Sequence, residues 1–284
     1  MIFQSWCITR LESETLRLKN EQETLKINLL TNQEYGGEIR LAFKEEAEEK
    51  QIIKRIKKIE KEISGISPCE QMKIDKKLKK LSELWENRPL EKAILLAVSQ
   101  AVCQLSASYI HRPLYEYLGG ISGRNIPCPV FELPLEQKVV LEGNYSLYEK
   151  EQMGQQIKEC FAKTPELNSF KEVQLKMEEI ARHLGISKEE YMVMSWSKRR
   201  KSNLFFELNS SMISTVTEMI ELIKTYKMNG KMAILQSGRN DIFPTFLADL
   251  AVGLNVQYID LEKANEENRR MIFQRLLSIE QALV

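Results

Sequence analysis

Two histidines and five cysteines are the side chains best able to ligate a metal or act as nucleophiles, and their spacing favours neither role. His111 lies between a helical stretch and Pro113, and His183 stands two residues ahead of Gly185, so each reads as a residue that closes a helix. Cys7, Cys69, Cys103, Cys128 and Cys160 are odd in number and far apart. That pattern fits reduced, mostly buried thiols rather than a disulfide or metal framework, and no metal site is expected. The one dense basic run, Ser197 to Lys201 (SKRRK), has the composition of a phosphate-binding or nuclear-import patch. The chain as a whole carries 41 basic and 40 acidic residues, a net charge of +1, so the run reads better as a solvated loop and a nucleic-acid partner is not expected. No apolar run near 18 residues and no secretory leader stands out, which points to a cytoplasmic protein without a membrane span.

The elements that must position any site are clearest from Leu204 to Leu254. Leu204 to Leu208 is a short bulky apolar run. Ser214 to Lys227 then places Val216, Met219, Ile220 and Ile223 on one helical face, and Asn229 and Gly230 end it. Met232 to Leu235 forms a second short strand and Phe243 to Leu254 the next helix. Strand, helix, strand, helix predicts parallel pairing.

This stretch resembles the C-terminal half of the enolase barrel. The family's LLLKVN, VSHRSG and TFIADLxVGL are laid on LFFELN, on the residues up to Ser237 and Gly238, and on TFLADLAVGL; Ile279, Glu280 and Leu283 match its IEEEL end. A second block, Ala97 to Gly120, resembles the family's helix and VPLY continuation, and Ile126 to Phe131 (IPCPVF) its LPVPAF. The resemblance implies a lysine base, a phosphate clamp, two magnesium ions and a glutamate acting on 2-phosphoglycerate. This chain departs at each reactive position. Glu207 stands at the base lysine, Leu235 and Gln236 at the His-Arg pair that grips phosphate, and Asp260 at the second lysine; Ser237 and Gly238 remain as a substrate-binding remnant. An ionised carboxylate at 207 repels an anionic substrate. Glu149 and Glu151 fall near the family's active-site glutamate without a firm register, and Glu132 to Val140 replaces its glycine-rich loop. No trio of metal carboxylates is found between Glu142 and Asn203.

The front of the chain reads as a meander of strands near Ile2 to Thr9, at residues 23 to 32 and at residues 38 to 43, followed by helices. Lys44 to Ser64 carries a stripe of Ile52, Ile53, Ile56, Ile59 and Ile63, which fits packing on the meander or a seam for a partner helix. Met72 to Trp85 places Ile74, Leu78, Leu81 and Leu84 on one face, and Leu90 to Ile110, apolar on most sides, is the expected central helix. Gly119 to Gly123 reads as a linker. Ser146 to Ala162, Ser169 to Leu184 and Ser187 to Met194 read as helices, with capping boxes at Ser169/Glu172 and Ser187/Glu190.

The expected fold is therefore an α+β enolase-like N-terminal domain over 1–120, an antiparallel meander plus helices. An α/β remnant of the enolase barrel, incomplete or rearranged, follows over 121–284 with a helical insert at about 146–196. A full (β/α)₈ barrel takes about 250 residues, more than 121–284 supplies. The expected function is that of a catalytically inactive enolase-like protein with a structural or interaction role and no cofactor. The alternatives are an active, magnesium-dependent phosphopyruvate hydratase and a truncated or spliced product of a longer enolase-like gene. The resemblance also implies a homodimer, or a heterodimer with a true enolase, through the N-terminal domain.

Overall fold

The computed structural model describes residues 6–17, 23–33, 36–42, 45–86, 88–120, 123–164, 166–195, 205–209, 212–238 and 243–283. The SKRRK run lies outside them. The chain divides into two compact units, Met1–Tyr117 with Ser210–Ile223, and Leu118–Asn209 with Lys224–Val284.

In the first unit, β1 (Ile8–Arg17), β2 (Glu23–Thr31) and β3 (Gly36–Ala42) form an antiparallel sheet in that order. Its buried face follows the two-residue strand period: Leu25, Ile27 and Leu29 on β2, with Ile39 and Leu41 opposite. Of the first strand, expected near Ile2 to Thr9, residues 2–5 lie outside the described ones; β1 buries Ile8 and Leu11. Helix α1 (Glu46–Ile63) buries Ile52, Ile56, Ile59 and Ile63, and the Leu11 amide donates to Glu60 at 2.8 Å. The isoleucine stripe thus belongs to the unit's own core rather than to an open seam. Helix α2 (Gln71–Leu84) buries Ile74, Leu78 and Leu81, whereas Leu84, expected to face inward, lies 62% exposed at the helix end. Helix α3 (Pro89–Tyr109) packs on α2 and β3 and is apolar all round. By length and composition α3 is apolar enough to cross a membrane, contrary to the expectation from the sequence, and 78% of its apolar window is buried within the protein. After it, His111 adopts φ 54, a left-handed helix-closing residue as its spacing suggested. Helix α4 spans Leu114–Gly119.

Asp75 ties the segment after residue 210 into this unit. Its carboxylate accepts from Ser99 Oγ (2.6 Å) and Gln71 Nε2 (2.9 Å) on one oxygen, and from the Thr217 amide (2.8 Å) and hydroxyl (2.6 Å) on the other. The Val216 amide donates to Ser99 Oγ at 2.9 Å. These acceptors meet amides that an α-helix leaves unpaired in its first turn.

In the second unit, six strands form a mixed sheet: β4 (Cys128–Leu133), β5 (Gln137–Leu141), β6 (Tyr191–Ser195), β7 (Phe205–Asn209), β8 (Met232–Gln236) and β9 (Tyr258–Asp260), in the order β6-β5-β4-β9-β8-β7. β4, β9, β8 and β7 run parallel; β5 is antiparallel to both its neighbours. Helices α5 (Leu147–Ala162) and α6 (Phe170–Leu184) cover one face of β4 and β5 through Phe131, Val139, Leu141, Ile157, Val173 and Met177. Gly154 permits that approach, because a Cβ there would collide with the Phe131 ring. In chain order helix α7 (Val216–Met228), whose residues up to Ile223 belong to the first unit, follows β7, α8 (Pro244–Gly253) follows β8 and α9 (Glu266–Leu283) follows β9. The helix expected over 187–194 is instead one 3₁₀ turn, Lys188–Glu190, leading into β6. The Ser187/Glu190 capping box is present there, but Tyr191 to Ser195 extends to pair with β5. An antiparallel three-stranded sheet with helices, together with a mixed sheet carrying parallel βα units, is compatible with an α+β enolase-like arrangement.

Of the five cysteines, expected to be mostly buried, only Cys103 is buried, and Cys69 is exposed.

Candidate functional site

Three short apolar strands each carry one charged residue: Lys138 in QKVVL and Asp260 in YID, both buried, and Glu207 in FFELN, half-buried. Strand alternation sends all three to one face, above an apolar layer of Val130, Val140, Ile234 and Tyr258. There Lys138 Nζ lies 2.6 Å from Glu207 Oε1 and 2.5 Å from Asp260 Oδ2. Asp260 is wholly buried and the Lys138 side chain 7% exposed. Burial alone disfavours the ammonium, but the Asp260 and Glu207 carboxylates more than offset it and hold the Lys138 pKa above the ordinary lysine value.

The surrounding shell fixes these groups. Gln236 Nε2 donates to Asp260 Oδ2 at 3.2 Å, and Lys263 Nζ donates to Gln236 Oε1 at 3.2 Å. The Glu262 amide donates to Asp260 Oδ1 at 3.0 Å, and Lys158 in turn holds Glu262 at 2.7 Å. Beside the cluster opens a cavity of about 460 Å³ whose lining includes Glu132, Glu136, Lys138, Glu207 and Lys263. Glu136 sits in the β4–β5 turn, where it and Leu135 both take left-handed backbone angles, φ 55 and 59. The cavity lies by the carboxyl end of β4 and the residues just past β9, where ligands of parallel sheets bind.

Of the residues singled out from sequence, Glu207, Gln236 and Asp260 come together here. Ser237 contributes its backbone amide, donating to the Asp260 carbonyl at 3.0 Å, while its hydroxyl donates to the neighbouring Gly238 carbonyl. Leu235 is buried on the other face of β8. Glu149 caps α5 through Ser146, and Glu151 pairs with Arg269 at 2.7 Å, so both have structural partners. Lys138 was missed by sequence reasoning. A lysine inside an otherwise apolar strand is the signal that would have found it, because a buried ammonium needs an acid partner and two other apolar strands each carry one. Among the described residues no three His, Cys, Asp or Glu side chains are grouped to hold a metal ion.

No protein-family profile matches the chain. Over 72 residues it is 38% identical to the enolase of a Nitratiruptor species, a match covering 25% of this chain and 17% of that protein. Over 100 residues it is 35% identical to the enolase of Helicobacter hepaticus, covering 34% of this chain and 24% of that one. The chain therefore spans about a fifth of the length of these curated relatives. Partial as they are, the two matches point to an enolase-related protein.

Proposed function

We propose that this chain is an enolase-like protein that does not carry out the enolase reaction and acts through protein contacts. The observation that carries this reading is the Lys138–Glu207–Asp260 cluster. At the two positions where the resemblance puts lysines, the chain has acids, and the cation between them is already bound on both sides. A phosphorylated acid entering here meets carboxylates, and the ammonium that could attract it is engaged with them. Nor do these residues fit the two-magnesium chemistry of the family, because a divalent ion would have to displace Lys138 from both carboxylates. The apolar framework, including the wholly buried Ala248 and Leu250 of TFLADLAVGL, serves packing whether or not the site reacts.

Purified protein should show no magnesium-dependent turnover of 2-phosphoglycerate, and Glu207→Lys alone should not restore it. Turnover by the unmodified chain overturns the reading. The partner consistent with the resemblance is a second copy of this chain, or an intact enolase, met through residues 1–120. Co-purification followed by cross-linking identifies which.

A further inference from the structure

The geometry points to the cavity beside Lys138 as a binding site for a small aliphatic ammonium ion. The inference rests on the reading that this site no longer takes a phosphorylated acid, and it names what the altered charges accept instead.

Three carboxylates, Glu132, Glu136 and Glu207, line the cavity against two ammonium groups, Lys138 and Lys263. Both ammonium groups are already engaged, Lys138 with Glu207 and Asp260 and Lys263 with Gln236 Oε1. Glu132 and Glu136 have no ion-pair partner among the described residues, and both are exposed to the cavity mouth. The acceptors on offer thus exceed the donors, and the wholly buried Asp260 lies directly behind Lys138. Among the described residues lining the cavity an incoming anion has no unengaged donor to meet, whereas an ammonium finds carboxylates for charge-assisted hydrogen bonds. Leu133 supplies apolar wall for an alkyl chain. A volume of about 460 Å³ lies within the range of small-molecule sites, roughly 300–1,000 Å³. The left-handed Leu135–Glu136 turn adds to this, since β-hairpins ordinarily place Asn and Gly at such angles. Here a glutamate is kept in that conformation at the rim of the cavity.

The test is isothermal titration calorimetry of the full chain with n-butylammonium chloride at constant ionic strength, beside n-butanol and glycerol 2-phosphate. Saturable binding of n-butylammonium alone is expected, with affinity falling at least about tenfold in E132Q/E136Q, since each hydrogen bond to a charged group is worth about that factor. Circular dichroism verifies that this variant is folded. E166Q/E189Q, which alters exposed acids elsewhere, should bind as the parent does. Absence of saturable binding, equal binding of n-butanol, or an unchanged affinity in E132Q/E136Q overturns the inference. Each of those results leaves the inactive-enolase reading standing, which fails only on turnover of 2-phosphoglycerate.

Discussion

Lys138 and Glu207 touch at 2.6 Å although their strands, β5 and β7, stand four positions apart in the sheet. On a flat sheet four strand spacings separate them by about 19 Å, farther than the two side chains reach together. The sheet therefore curls until its carboxyl ends converge, and the ion pair spans the inside of the curve. A barrel-like curvature is thus maintained around a charge pattern opposite to the one the family resemblance implies.

Replacing Lys138 with methionine keeps similar bulk but leaves Asp260 and Glu207 facing one another without a counter-ion. Breaking a buried pair from one side costs about 3–5 kcal/mol. Urea denaturation should register a loss of that order in Lys138→Met, and a partial recovery when Asp260→Asn is added. A single variant as stable as the parent would show that water, not the protein, screens the two acids.

The same lysine sets an alkaline limit. Its pKa in the folded chain lies above the ordinary 10.5, so its stabilising contribution is whole below that pH and is lost as the pH rises through the folded value. The stability difference between the parent and Lys138→Met should narrow above about pH 10.5 and be flat below it, read from urea midpoints across pH 8 to 12.

Asp75 acts in the same direction at the acid end of the scale. Burial pushes its carboxyl above the ordinary 3.8, against the pull of Ser99, Thr217 and Gln71. The folded protein then holds a proton that the unfolded chain releases, and stability falls as the pH rises from 3.8 through the folded value. The parent should lose stability relative to Asp75→Asn over that window. Asp75→Ala should be worse than either by about 1–3 kcal/mol, because Ser99 and the Thr217 amide lose their acceptor; chemical denaturation at pH 7 measures it.

The β4–β5 turn offers a gain. Leu135 and Glu136 carry side chains at φ 59 and 55, a conformation that costs L-residues about 1–2 kcal/mol each. Leu135→Asn with Glu136→Gly should raise the thermal midpoint, read by differential scanning calorimetry, and at the same time remove one of the carboxylates that line the cavity.

Much of this was legible in the sequence. Leu25, Ile27 and Leu29 announce a half-buried strand by alternation, and Ile52, Ile56, Ile59 and Ile63 announce a helix by their spacing, because each period exists to fill one buried face. The Ser169–Glu172 pair marks a helix start through local hydrogen bonds, which need no tertiary partner. Ser187–Glu190 shows the limit of such signals: the cap forms, yet pairing with β5 decides what Tyr191 to Ser195 become. The site is harder for the same reason. Glu207 and Asp260 stood out only as departures from a family pattern, and Lys138, 69 residues from one and 122 from the other, is joined to them by the curl of the sheet alone.

That separation along the chain has a consequence for how the protein comes into being. During synthesis Lys138 leaves the ribosome long before either acid, and a half-made chain must keep an ammonium wet among residues that are destined for the interior. Contacts so distant in sequence form slowly, so the sheet's last strand, only three residues long, arrives as the latch that closes it.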